Sequence, residues 1–267
     1  MRKEEYLASQ SVKNFISWIE PLLDTPQSFV HRYVKKRGKK PYEFDSLYSA
    51  YEKYDWGYSI DEFAVSLKQS IRDNDEQSCD KACHGILKWG GVYRGNSKRV
   101  TGLKPNLCDY LLRVKERLAL DLPSYDYFFP GMHMTSGFSK IYSAYIDNYI
   151  IYDGRVGAAI GLLVRAFCVQ SKLPRVPDEL LFAWARGLES YNPSGTSRRN
   201  PSNGSYVFPK LLSYKPEKYL ENNIRANWLL SSIALKTESS FKSKQLQDRL
   251  RAIEQALFMI GYDVSGA

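Results

Sequence analysis

With 267 residues, 43% of them hydrophobic and 25% charged, the chain can bury a substantial core and is too balanced in composition for wholesale disorder. Its 38 Lys and Arg against 29 Asp and Glu leave a net charge of +9 and a pI near 9.2, which makes a polyanionic partner the first expectation. No apolar run is long enough to cross a bilayer, and the opening MRKEEYLASQ leads into no apolar core, so neither a membrane span nor a secretory signal is expected and a cytoplasmic location is.

Taken in chain order, the strongest patterns have helical period. Val12, Phe15, Ile16 and Ile19 share one face; VKKRGKKPYEF then reads as a loop with five bases in the six positions from Lys35 to Lys40, among them Lys36 and Arg37. Phe63, Leu67 and Ile71 form a second stripe. In CDKACH, Cys79, Cys83 and His84 lie close together, but no second pair completes a zinc set, so they read as helix-face residues and no metal or cofactor is expected. WGGVYRGNSKRVTGLKP reads as a Gly-rich connection carrying Arg94, Lys98, Arg99 and Lys104. Further stripes run through Leu107, Tyr110, Leu111, Val114 and Leu118; through Val156, Ile160, Leu163, Val164 and Phe167; through Leu180, Leu181, Trp184 and Leu188; and through Leu246, Leu250, Ile253 and Leu257. YNPSGTSRRNPSNGSY is a polar loop containing Arg198 and Arg199. Almost nothing alternates with period two, and the expectation is an all-α fold.

The expected organisation is a single compact unit over residues 1–267, with an N-terminal helical lobe to about residue 105, a central lobe over roughly 106–190 and C-terminal helices packing back from about 191. A monomer is the expected state. Each basic loop alone reads as a solvated loop. Together they would make one electropositive surface, in which Lys35, Lys36, Arg37, Arg94, Lys98 and Arg99 are candidate nucleic-acid contacts.

The stretch SGFSKIYSAYIDNYIIYDGRV, residues 136–156, places a lysine at the start of one helix-like segment and an aspartate before the next. If Lys140 to Asp147 form about two helical turns, roughly 10 Å long, an extended return through Asn148 to Tyr152 can bring Asp153 back beside Lys140. Asp153 also stands where an N-cap is expected, its carboxylate favoured in ionised form by backbone N–H groups. A lysine desolvated by Phe138, Tyr142 and Tyr152 becomes a usable amine nucleophile, whereas a solvated one stays an ammonium ion. His133, just ahead of this stretch, reads as a satisfied loop histidine.

MTSGFSK followed by IYSAYIDNYIIYDGRVGAAIGLL resembles a reduced form of the helix-hairpin-helix signature of base-excision DNA glycosylases. It is more similar still to bacterial proteins with an 8-oxoguanine glycosylase fold, which read S-K, an apolar helix, then I-Y-D-x-R-V. The likeness covers residues 130–168. With Lys140 aligned, Ser136 and Phe138 stand where the family hairpin has glycines, and the interval from Lys140 to Asp153 is shorter than in most of the superfamily.

The resemblance implies a two-lobed helix-hairpin-helix fold and a DNA N-glycosylase that flips a modified base out of DNA and excises it. A modified base in phage DNA, as antiviral defence, is one such substrate. It also implies that Lys140 attacks the sugar or assists, that Asp153 stabilises the developing sugar cation, and that Ser136, Gly137, Ser139 and Arg155 contact the DNA backbone. Base flipping calls for stacking residues, for which 20 Tyr, 12 Phe and 5 Trp are ample. Trp89, Tyr93 and Asn96, with Phe138 and Tyr152, are the candidate base pocket. Whether the enzyme is monofunctional or also a lyase stays open. The alternatives are a non-catalytic helical DNA- or RNA-binding protein and a helical protein-interaction module.

Overall fold

The computed structural model describes residues 1–35, 41–57, 59–118, 126–187 and 197–265. Lys36, Arg37 and Leu188 lie outside the described residues. The chain is mostly helical: α1 (Lys3–Ala8), α2 (Gln10–Ile19), α3 (Leu47–Glu52), α4 (Asp61–Asp73), α5 (Glu76–Trp89), α6 (Tyr93–Thr101), α7 (Leu107–Arg117), α8 (Ser136–Tyr145), α9 (Gly154–Gln170), α10 (Pro216–Lys236) and α11 (Leu246–Ile260). The apolar stripes explain the placement of most of them. Val12, Phe15, Ile16 and Ile19 of α2 are buried, as are Leu107, Leu111 and Val114 of α7 and Leu250, Ile253 and Leu257 of α11. Among the described residues, no helix is long and apolar enough to cross a membrane.

Helices α9 and α10 are buried nearly all round and form the centre of the molecule. Gly154, Gly157 and Gly161 line one face of α9 and let it approach neighbouring backbone closely. A Cβ on Gly154 would lie 2.5 Å from the Ala185 carbonyl oxygen, one on Gly157 would collide with the Ala183 carbonyl oxygen, and one on Gly161 would lie 2.6 Å from Pro201. The α9 N-terminus is thereby fixed against the extended chain at 183–185, which matters because Asp153 caps it.

Four local expectations are corrected. The basic stretch after residue 30 contains a two-stranded antiparallel hairpin, β1 (His31–Val34) and β2 (Pro41–Phe44), so the fold is not wholly helical. HRYV buries alternate residues and Tyr33 stacks on Tyr42 across the pair at 5.4 Å, a period-two signal only four residues long. The Gly-rich connection contains α6, kinked at Arg94 and Gly95, the latter at φ 77°. The stripe from Leu180 is not a helix: a 3-10 turn at Asp178–Leu180 gives way to extended chain. There α10 supplies the backbone partners, with Asn222 Oδ1 accepting from the Ala183 N–H at 2.8 Å and Arg225 donating to the Asp178 and Leu181 carbonyls at 3.1 and 2.9 Å. Finally, Lys140 does not head its helix. Thr135 caps α8, its Oγ1 accepting from the Phe138 N–H at 3.2 Å, and Lys140 lies in the second turn.

Candidate active site

Lys140 and Asp153 meet. Lys140 Nζ donates to Asp153 Oδ2 at 2.9 Å and to the Ser136 carbonyl at 3.4 Å, and the side chains are only 4% and 12% exposed. The other carboxylate oxygen caps α9, with Asp153 Oδ1 accepting from the N–H groups of Arg155 at 2.9 Å and Val156 at 3.2 Å. Burial by itself would raise the Asp153 pKa. The Lys140 ammonium, with Arg199 and Arg155 adding to it, more than offsets this and holds the carboxyl well below its ordinary range. Asp153 is therefore an ionised carboxylate at neutral pH, buried and aimed at an amine.

The return segment is extended because buried side chains take its backbone groups one by one. Asn227 Oδ1 accepts from the Ile150 N–H at 2.9 Å, Glu254 Oε2 from Ile151 at 2.7 Å and Ser139 Oγ from Tyr152 at 2.7 Å, while Tyr219 Oη donates to the Tyr152 carbonyl at 2.8 Å. Helices α8, α10 and α11 thus hold the three residues before Asp153 in one conformation. Glu254 is itself gripped by Arg251 Nη1 at 2.7 and 2.8 Å, and burial raises its pKa against that ion pair.

Gly90 makes room for the lysine. It ends α5, where Gly91 at φ 64° and the Val92 N–H to Leu87 carbonyl bond at 3.0 Å form a Schellman turn. A Cβ on Gly90 would lie 2.9 Å from Lys140 Cε and closer still to Cδ. Gly90→Ala should therefore push Lys140 Nζ away from Asp153 and, by loosening a buried ion pair, lower the melting temperature. An unchanged melting temperature would show that the lysine gives way without leaving the carboxylate.

Two cavities share Lys140, together with Trp56 and Phe258. The larger, about 820 Å³, is lined by Asp153 and Ser136 and by Arg99, Arg155, Arg186 and Arg199, so an anionic strand would find positive charge beside the carboxylate. The smaller, about 490 Å³, has Trp56, Trp89, Phe258, Ile151 and Val156 in its lining, with Arg251 and Glu254. Its size is ordinary for a small-molecule pocket. Trp56 and Phe258 meet edge to face at 4.9 Å, and the Arg155 guanidinium lies 4.3 Å from the centre of the Phe258 ring.

The structure brings some of the sequence candidates to this site and places others elsewhere. Ser136, Arg155, Arg99 and Asn96 line the basic cavity and Trp89 lines the aromatic one. Asn96 is a latch more than a reader, because its Nδ2 donates to the Val92 carbonyl at 2.7 Å and its Oδ1 accepts from Thr135 Oγ1 at 2.8 Å. Gly137 packs against it, with space for no Cβ. Ser139 is fully buried, its Oγ accepting from the Tyr152 N–H. Phe138 and Tyr152 belong to the core, the former against His133 and Tyr142, the latter donating to the Ala183 carbonyl at 2.6 Å; neither lines a cavity described here. Tyr93 is exposed, beside His84 and under Lys88, and Arg94 and Lys98 are exposed on α6 outside the lining. Lys35 pairs with Asp55 at 3.7 Å and covers Tyr42. His133 lies in a loop against Phe138, its pKa lowered by burial and by Arg99.

Trp56, Gly90, Phe258, Arg251 and Glu254 escaped the sequence reading. Glu254 left a trace: it falls four residues after Leu250 and three before Leu257, at a core position of the α11 stripe where a carboxylate has no structural reason to be exposed. No protein-family model, curated protein or solved structure matches the chain.

Proposed function

We propose that the protein is a DNA N-glycosylase of helix-hairpin-helix type that excises a modified base. The observation that carries this reading is the buried Lys140–Asp153 pair at 2.9 Å, set where an arginine-lined cavity meets an aromatic one. The strand backbone and deoxyribose would occupy the basic cavity and the extruded base the aromatic one. When the N-glycosidic bond breaks, its electron pair leaves with the base and positive charge develops on the sugar. An ionised Asp153, oriented by its two N–H donors before the substrate arrives, stabilises that charge without reorganisation. Water then adds to C1′ in the monofunctional route and gives its proton to the departed base anion. In the bifunctional route that anion takes a proton from Lys140, the free amine adds to C1′ instead, and ring opening, in which O4′ takes one of the amine protons, gives a protonated Schiff base.

The two routes and the non-catalytic alternative are separated by one experiment. DNA carrying varied modified bases is incubated with the protein, released bases are measured by mass spectrometry, and a parallel sample is reduced with borohydride. A trapped adduct that disappears in Lys140→Ala marks the lyase route; free base without an adduct, lost in Asp153→Asn, marks the monofunctional one. Tight DNA binding with no base released from any substrate would replace the enzyme by a binding protein.

DNA affinity should fall steeply with salt, because each phosphate neutralised contributes a slope of about −0.9 in log K against log salt. Arg99→Ala and Arg199→Ala should each reduce that slope by about 1 while leaving discrimination between sequences unchanged. A slope insensitive to both substitutions would put the DNA on another face.

A further inference from the structure

We propose that the aromatic cavity selects a nucleobase whose substituent carries a protonated amine. This deepens the glycosylase reading and rests on it. The two cavities that meet at Lys140 have opposite electrostatic character. The basic one presents Arg99, Arg155, Arg186 and Arg199 around Asp153. Among the described residues, the aromatic one is lined by the carboxylates Asp55, Asp61, Asp248 and Glu254 and by the cations Lys140 and Arg251, both of which already face carboxylates, Lys140 at Asp153 and Arg251 at Glu254.

The polarity is layered. Trp89, Ile151, Val156 and Glu254 are buried and form a floor suited to a flat heteroaromatic ring, whereas Asp55, Asp61 and Asp248 are exposed and stand at the rim. Asp55 also has Lys35 at 3.7 Å and accepts from the Tyr42 hydroxyl at 3.4 Å. A ring stacked among Trp56, Trp89 and Phe258 would direct a substituent towards three carboxylates. An ammonium there gains attraction to each of them, whereas the Phe258 and Trp56 rings already have the Arg155 guanidinium at 4.3 and 5.4 Å. A hydroxyl gains only hydrogen bonds, and a carboxylate is repelled.

The test holds the ring constant and changes the charge. Duplexes carrying a single 5-aminomethyl-, 5-hydroxymethyl- or 5-carboxyuracil on a 2′-fluorinated sugar, which resists cleavage, are competed against an unmodified duplex. The expected order of binding is amine, then hydroxyl, then carboxylate. The amine preference should be about tenfold and should vanish in the Asp55→Asn, Asp61→Asn, Asp248→Asn triple variant, whose exposed positions leave the fold intact. A flat order, a carboxylate preference, or an amine preference that survives the triple substitution overturns the proposal. Base release measured separately on cleavable DNA keeps the outcomes distinct: Asp153-dependent release with a flat charge series removes the amine preference alone, and absence of release from every substrate removes the glycosylase reading with it.

Discussion

On the proposed glycosylase reading, Asp153→Asn is expected to lower base release by about 10²–10³-fold, the size of effect produced by removing a preorganised group opposite a developing charge. The substitution is close to isosteric, and Asn is as good an N-cap as Asp, so the bonds from the Arg155 and Val156 N–H groups can persist. What changes is charge. Lys140, 4% exposed, loses the carboxylate it faces at 2.9 Å, and removing one partner of a buried pair costs about 3–5 kcal/mol of stability. Release must therefore be assayed below the melting temperature of the variant, with unfolding followed by circular dichroism. A folded Asp153→Asn protein that releases base at the wild-type rate would remove the carboxylate from the chemistry.

Among the described glycines, Gly261→Ala is expected to be the most damaging substitution. Gly261 follows α11 at φ −72°, a backbone conformation that any residue adopts, so the constraint is space alone. A Cβ there would lie 2.6 Å from the Arg155 carbonyl carbon and 3.0 Å from Arg155 Cα, and would overlap the carbonyl oxygen. Nothing flexible stands in the way; the obstacle is the first turn of α9. Either that turn or the end of α11 must move, and overpacking costs about 1–3 kcal/mol, with an obstacle of rigid backbone placing this case at the upper end. Because the same turn supplies both N–H donors to Asp153, the proposed base release should fall as well. Urea denaturation and base release measured together check this; a variant with wild-type midpoint and rate would show that the two helices are not held so closely.

Much of the helical framework was legible because α2, α7, α9 and α11 write their buried faces at helical spacing over ten or more residues. The hairpin was not, since β1 and β2 offer four residues each, too few for alternation to stand out from chance. The segment from Leu180 carries an apolar stripe that would suit a helix, and it is extended because Asn222 and Arg225, some forty residues later, take its backbone groups. Such long-range partners leave no local mark.

The site divides in the same way. Asp153 before the clean stripe of α9 announced a cap, and a lysine 13 positions earlier could be returned to it by simple chain geometry. The aromatic cavity could not be assembled from sequence, because Trp56, Trp89 and Phe258 come from three distant stretches. Phe138 and Tyr152, near in sequence to the pair, fill the core beneath it. Successive residues face different sides both in α8, which carries Phe138, and in the extended segment that carries Tyr152.

The most direct test needs no knowledge of the excised base. Duplexes carrying either a neutral tetrahydrofuran or a cationic pyrrolidine abasic-site analogue differ at the sugar only by the charge that the transition state develops. A carboxylate positioned for that charge should bind the pyrrolidine duplex about 10²-fold more tightly, with the preference lost in Asp153→Asn. Equal affinities for the two duplexes, or a preference that persists without the Asp153 carboxylate, would contradict the assignment.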